Sequence, residues 1–226
     1  MASHADMEQT LALGLAYLKS EHDIRIEDDL SKPLLDYVHL LHKWNRVYNL
    51  TAVRDLNAMV QRHLLDSLVL CRWLPEQTNA SDRAADAQVD VIDVGSGAGL
   101  PVLPLAIVRP DLQFASIESN GKKTRFQQQA LVELDIKNVQ VLNQRVQHVC
   151  LKALFVTSRA FTAPEAFLSI AEPLCLMAGR VVIMLGHSER LPSTLPAPYF
   201  LQELLPIDIP GSQAARHVAV CRRTVD

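Results

Sequence analysis

Two groups of residues in this chain have the types and spacing to do chemistry. The first follows an apolar run. VDVIDV (89–94) reads as a buried strand, and it leads straight into Asp93-Val94-Gly95-Ser96-Gly97-Ala98-Gly99. Glycines at alternate positions let the backbone turn tightly and approach a ligand, and a helix starting beyond them offers free N–H groups. Glu118 closes the next apolar run, 23 residues after Gly95. A carboxylate there can accept hydrogen bonds from the 2′- and 3′-hydroxyls of a ribose. Both features fall where open α/β sheets bind ligands, at the carboxyl ends of the strands.

The second group is polar and sits upstream, in WNRVYNLTAVRD (44–55) and QRHLLDS (61–67). Asn45, Asn49, Thr51, Arg54, Arg62, His63 and Asp66 are donors and acceptors able to position a polar substrate. Arg62, His63 and Asp66 fall on one helix, and Arg62 and Asp66, four apart, can pair. A scaffold role competes with this one: Asn49 and Thr51 would form a turn and a helix cap, and Arg62–Asp66 a structural salt bridge. Trp44 and Tyr48 continue an apolar stripe and read as core. Cys71, Cys150, Cys175 and Cys221 are scattered, with no C-x-x-C pair, and read as inert thiols. His39 and His42 lie three apart without a carboxylate partner beside them, so no metal is expected.

Spacing separates the candidate ligands of the glycine loop. A dinucleotide fingerprint, G-x-G-x-x-G/A, needs a small third residue at position 100, where this chain has Leu100. No Gly-Lys-Ser/Thr follows, so the loop is not a P-loop. The pattern D-x-G-x-G-x-G suits S-adenosyl-L-methionine, whose amino-acid end needs backbone partners and which carries no phosphate. A class I methyltransferase is favoured over a dehydrogenase, which stays open as the alternative.

The elements that must position these residues change character along the chain. Up to Pro75 apolar residues recur at helical spacing, as in Leu34, Leu35, Val38, Leu41, Trp44 and in Leu56, Val60, Leu64, Leu68. The polar stretch 76–88 reads as a linker. Residues 89–226 then alternate: strands at 89–94, 113–118, 139–143, 153–159 and 179–185, with helices at 101–108, 122–134 and 164–177. Residues 199–209 and 216–223 are expected to pair as a terminal hairpin. The fold class is therefore α/β, a Rossmann-like and mostly parallel sheet with an N-terminal helical part.

The 226 residues carry 22 basic and 25 acidic side chains, and 49% are hydrophobic. That length and composition exclude disordered and fibrous classes, and no apolar run is long enough for a membrane span. MASHADMEQT lacks the basic and apolar parts of a signal peptide, so a cytoplasmic location is expected, and nothing calls for an oligomer, so a monomer is expected. The net charge of −3 argues at first against nucleic acid. Its distribution argues otherwise. Residues 1–36 hold eight acids and three bases, whereas 43–63 hold four bases and one acid. Phosphate attraction is local, screened within about 8 to 10 Å, so basic patches can coexist with an acidic total.

With both groups in view the chain resembles the ribosomal RNA small-subunit methyltransferase G family, also called glucose-inhibited division protein B. The resemblance runs from about Leu34 to Arg222. It is carried by LLHKWNRVYNLTAVRDLNAMVQRHLLDSL (40–68), VIDVGSGAGLPVLPLAIVRP (91–110), GKKTRF (121–126), VQVLNQRV (139–146), SRAF (158–161) and RHVAV (216–220). It implies transfer of a methyl group from S-adenosyl-L-methionine to N7 of one guanine of bacterial 16S ribosomal RNA (guanine 527), on free RNA or the small ribosomal subunit. It further implies cofactor contacts from Gly95, Leu100, Val146, Gln147 and Arg159, with Glu118 fitting the ribose role. Asp93, Gly97 and Gly99 of the same loop are expected beside them, and Asn45, Asn49, Arg54, Arg62, His63 and Asp66 remain the candidates for positioning the RNA. Guanine N7 has a lone pair and no proton, so positioning without a general base is expected. The chain departs from the family at Val102, where relatives usually carry a glycine, and at Leu185, where they usually carry a lysine. A binding relative without catalysis, or a methyltransferase for another substrate, is the alternative.

Overall fold

Apolar residues in unbroken runs become strands covered on both faces, and those at three- and four-residue intervals become helices. The computed structural model describes residues 4–76, 86–212 and 215–224. Its helices are α1 (His4–His22), α2 (Ser31–Tyr48), α3 (Leu56–Met59), α4 (Asp66–Leu68), α5 (Val102–Val108), α6 (Gly121–Glu133) and α7 (Pro164–Ala171). A π-helical turn, Val60–Leu65, joins α3 to α4, and a 3-10 turn, Val69–Trp73, follows. The strands are β1 (Val91–Val94), β2 (Phe114–Ile117), β3 (Val139–Leu142), β4 (Ala153–Arg159), β5 (Cys175–Leu185), β6 (Tyr199–Ile207) and β7 (Arg216–Arg223).

They form one sheet in the order β3-β2-β1-β4-β5-β7-β6. The first five run parallel, and β7 is antiparallel to both β5 and β6. The order reverses between β1 and β4, so a crevice opens at the carboxyl ends of these two strands. This is the Rossmann-like architecture expected, with the terminal hairpin inserted so that its second strand lies inside the sheet.

Side chains alternate across the sheet with a period of two. Val91, Phe155, Val182, Met184, Val218 and Val220 join the core that contains α1, α2, α5 and α6. Ile92, Val94, Val156, Val181, Ile183 and Ala219 join the core under α7. By the same alternation Asp93, Arg159 and Arg216 fall on the first face, toward the N-terminal helices. Met7, Leu34, Leu41 and Leu64 share that core with Leu103, Phe114 and Phe126, so the helical region and the sheet are packed as one body. Of the expected linker, residues 77–85 lie outside the described residues.

Two expectations need correcting. The helix expected over 164–177 stops at Ala171, because Pro173 has no N–H for the helical ladder and disfavours helix at Glu172. The strand then starts early: Cys175 pairs with Ala153, and after an irregularity Arg180 pairs with Phe155. Gly179 sits in that irregularity, where a Cβ would lie 2.7 Å from the Leu154 carbonyl oxygen. Tyr48 is not core. At the last turn of α2 Tyr48 is exposed and stacks on Trp44 at 5.2 Å. Trp44 is half-buried and meets Phe126 edge-on.

Tyr37 of α2 ties the helical region to the glycine loop. It is fully buried, and its hydroxyl donates to the Ala98 carbonyl at 2.8 Å. Tyr37→Phe is expected to lower stability by about 1 to 2 kcal/mol, seen as a lower denaturant midpoint at unchanged slope.

Candidate active site

The glycine loop leaves β1 at its carboxyl end and turns three times through left-handed backbone, with φ of 73° at Gly95, 59° at Gly97 and 82° at Gly99. Polar contacts beneath it fix the shape. The Gly95 and Ser96 amides donate to the Ile117 carbonyl at 2.8 and 3.3 Å. Gln127 of α6 donates to the Gly97 carbonyl at 2.8 Å and accepts from the Ser116 hydroxyl, which in turn lies 2.6 Å from that of Ser96. Glu118 is held by two backbone amides, Gly97 N–H on Oε2 at 2.9 Å and Asn120 N–H on Oε1 at 2.8 Å. Each carboxylate oxygen keeps a second lone pair for a further donor.

A cleft of about 390 Å³ opens over the loop, lined by residues that include Gly95, Glu118, Lys123, Val146, Gln147 and Phe161. The structure thus brings together Gly95, Glu118, Val146 and Gln147, the last two on a 3-10 turn after β3. Leu100 is not brought there. Its side chain is buried in the core, and its amide donates to the Ser96 carbonyl at 2.8 Å. Val102 is likewise fully buried in that core. Asp93 lies beneath the loop, fully buried, with neither carboxylate oxygen hydrogen-bonded. Burial pushes its carboxyl well above the usual range, against the opposing pull of the Arg159 guanidinium.

Arg159 departs furthest from expectation. At the end of β4, it turns away from the cleft into a groove lined also by Arg62, His63, Asp66, Arg190 and Arg216. Its Nη1 donates to the Arg62 carbonyl at 3.0 Å and lies 3.9 Å from Asp66. Asp66 is buried and takes its close ion pair from Arg216 of β7, at 2.9 Å. The Arg62–Asp66 pair is therefore not made; two arginines from the sheet claim the carboxylate, and Arg62 stays exposed.

His63 is buried within the π-helical turn, and both ring nitrogens are engaged. Nδ1 lies 2.8 Å from the Arg62 carbonyl oxygen and 3.3 Å from the Arg159 guanidinium; with the proton on Nδ1 the ring donates to that carbonyl. Thr51 accepts from the Val53 amide at 3.2 Å and spends its own proton on His63 Nε2 at 2.8 Å. Asn45, expected on the substrate side, is buried and bonds the loop instead: its amide nitrogen donates to the Val53 carbonyl, and its oxygen accepts from Thr51 N–H. Asn49 adopts left-handed backbone at the end of α2 and accepts from Arg54 at 2.9 Å, on the outer surface of the same loop. Asn45, Asn49 and Thr51 each bond within this loop or to its neighbours.

Sequence reading missed Tyr37, Gln127 and Phe161. The first two look like ordinary helix residues until the loop is packed on them. Phe161 stood inside the SRAF string, where its aromatic type beside Arg159 was the available signal. Burial, then the nearby Arg159 guanidinium, lowers the His63 pKa to about 4. In the unfolded chain it returns to about 6.5, so between these values the unfolded state binds more protons. Stability from neutral His63 is present above about pH 6.5 and lost as pH falls toward about 4. Denaturation midpoints across that window should fall more steeply for the wild type than for His63→Gln, by an amount approaching about 3 kcal/mol.

Comparison with known proteins places these features. The family described as rRNA small subunit methyltransferase G is matched over residues 31–214. The ribosomal RNA small subunit methyltransferase G of Nitrosospira multiformis is 39% identical over 225 residues, covering 94% of this chain and 96% of its own. That of Pseudomonas aeruginosa is 38% identical over 213 residues, covering 93% and 94%. That of Neisseria meningitidis is 37% identical over 214 residues, covering 94% of both. A match over most of the chain, on a sheet and glycine loop of the class I methyltransferase kind, makes this protein a member of the rRNA small subunit methyltransferase G family.

Proposed function

We propose that the protein transfers a methyl group from S-adenosyl-L-methionine to N7 of one guanine in 16S ribosomal RNA, the family target guanine 527. The observation that carries this reading is the adjacency of two unlike compartments in a member of this family. The glycine-loop cleft and the arginine-lined groove both open on Ala160, at the carboxyl end of β4. One suits a nucleoside-bearing cofactor and the other a phosphate-rich substrate.

The residues of the cleft fit the cofactor. Glu118 has free lone pairs for ribose hydroxyls, and the Val146–Gln147 turn offers backbone and amide groups to an adenine edge. Asp93 is a buried carboxylate with both oxygens unpartnered, beneath a loop that receives a ligand with a cationic amino-acid end. S-adenosyl-L-methionine supplies an electrophilic methyl group on a sulfonium sulfur. On the substrate side, exposed Arg62 and Arg190 reach solvent from the groove and attract phosphates. Arg159 and Asp66 are already engaged with each other and act as the groove's frame.

Guanine N7 carries no proton, so no residue here acts as general base. His63 fits that role poorly in any case, since both ring nitrogens are spent on Arg62 and Thr51. The protein's contribution is orientation and the exclusion of water around the acceptor. Between about pH 6.5 and about 8.5 the rate of the methyl-transfer step should therefore stay flat.

The deciding experiment incubates the protein with labelled methyl donor and small-subunit RNA, free and as the particle, and maps the label. A single N7-methylguanine at the family position supports the reading; label on another atom or base refutes the assignment. Gly95→Asp is expected to abolish cofactor binding in calorimetry, because a Cβ there would lie 2.4 Å from the Phe161 ring and the backbone is left-handed. Arg62→Ala should leave cofactor affinity unchanged, weaken RNA binding, and lower the slope of affinity against salt by about one.

A further inference from the structure

Phe161 is 41% exposed, a large ring left in the open at the ligand edge of the sheet. Its place is nonetheless fixed. Ala160, with φ of 52°, turns the chain through left-handed backbone just after β4 and aims the next side chain back over the glycine loop. The ring meets Phe167 of α7 edge-on at 6.5 Å, and one of its edges lies against Gly95. A non-glycine residue is held in a sparsely populated conformation so that an aromatic face stays available.

That face separates two spaces. On one side is the cofactor cleft. On the other is a second cavity of about 470 Å³ over the ends of β4 and β5, lined by Glu165, Phe167, Met184, Leu185 and Arg190 among others. It shares Met184, Leu185 and Arg190 with the basic groove. The second cavity therefore lies beside the expected methyl donor and is open to the surface that would carry phosphates. Its floor is apolar. Glu165, exposed in the first turn of α7, is its carboxylate, and no ion pair engages it among the described residues.

A base that is to be modified must leave its stack, and enzymes hold such a base by aromatic stacking and by hydrogen bonds to its Watson–Crick edge. Guanine presents N1–H and N2–H₂ side by side on that edge, two donors matched to the two oxygens of a carboxylate. Adenine presents an acceptor at N1, which a carboxylate repels. A guanine gripped by this edge turns its N7, on the opposite side of the ring, away from the grip. On the reading of function above, we infer that the cavity between β4, β5 and α7 is the acceptor-base subsite: the target guanine stacks on Phe161, and Glu165 accepts from its N1–H and N2–H₂. Leu185 supplies apolar floor in this subsite, where family members usually carry a lysine.

The test measures three quantities on the full chain: kcat/KM for small-subunit RNA, affinity for that RNA without cofactor, and affinity for S-adenosyl-L-methionine by calorimetry. Phe161→Ala should lower kcat/KM about 10- to 100-fold and weaken RNA binding, with cofactor affinity within about threefold, while Phe161→Tyr restores most of the loss. With inosine replacing the target guanine, which removes the N2 donors, the wild type should slow, and Glu165→Gln should show a smaller guanine-to-inosine ratio than the wild type. An unchanged kcat/KM in Phe161→Ala overturns the subsite. So does a loss of cofactor affinity equal to the loss of rate, which would make the ring only a wall of the cofactor cleft. An undiminished guanine-to-inosine ratio in Glu165→Gln removes the carboxylate from the proposal. Should the wild type label no guanine at all, the reading of function fails, and the subsite is then decided by RNA affinity alone, with equal affinity for wild type and Phe161→Ala counting against it.

Discussion

The placement of the Arg159 guanidinium conditions nearly everything around it. A charge largely withdrawn from water is tolerated only when matched by partners, and burial here is strong enough to lower its pKa despite the carboxylates nearby. The partners come from every part of the fold. Asp93 is on β1 and Asp66 on α4, while the π-helical turn supplies the Arg62 carbonyl. Arg216 of β7 shares Asp66 with it. Deleting one partner leaves an uncompensated charge, a loss of about 3 to 5 kcal/mol in comparable cases. Hydrophobic side chains often stabilise such a space as well or better, so the weight of the arrangement lies in the geometry it fixes rather than in net stability. It holds the helical region against the carboxyl edge of the sheet, where the arginine-lined groove is.

The same edge sorts polar groups by their state of satisfaction. Glu118 is pinned by backbone amides and keeps spare acceptor capacity, so it is ready for hydroxyl donors without moving. His63 has no capacity left and serves as a strut between the loop at Thr51 and the π-helical turn. Asp93 is the opposite case, fully buried with no close hydrogen-bond partner on either oxygen, and burial favours its neutral form against the pull of Arg159. Unsatisfied buried groups are costly, so such a group weakens the fold at the place where it stands.

Much of this was legible in the sequence because two-sided burial writes itself as apolar runs. VIDV and ALFVTSR identify central strands unaided, and the glycine spacing identifies the turn between β1 and α5. What escaped has physical causes. The extent of α7 was misjudged because Met177 and Leu176 continue the apolar composition beyond Pro173, the residue that ends it. The partner of Asp66 was misjudged because sequence shows only neighbours, and Arg62 is four residues away while Arg216 is 150. Asn45 shows the same limit, since an asparagine among arginines has no local mark of burial. The exposure of Tyr48 depends on which neighbours reach the last turn of α2, which no helical period encodes.

The position of β7 bears on how the molecule comes into being on the ribosome that makes it. The five parallel strands and, among the described residues, the seven helices precede it in the chain, and β6 lies beyond it in the sheet. As residues emerge in order, β5 is left as an open edge and Asp66 without its nearest cation until the last strand slots in between. The arginine-lined groove is thus completed only once Arg216 has arrived. A partly made chain carries the glycine loop well before it carries a finished groove.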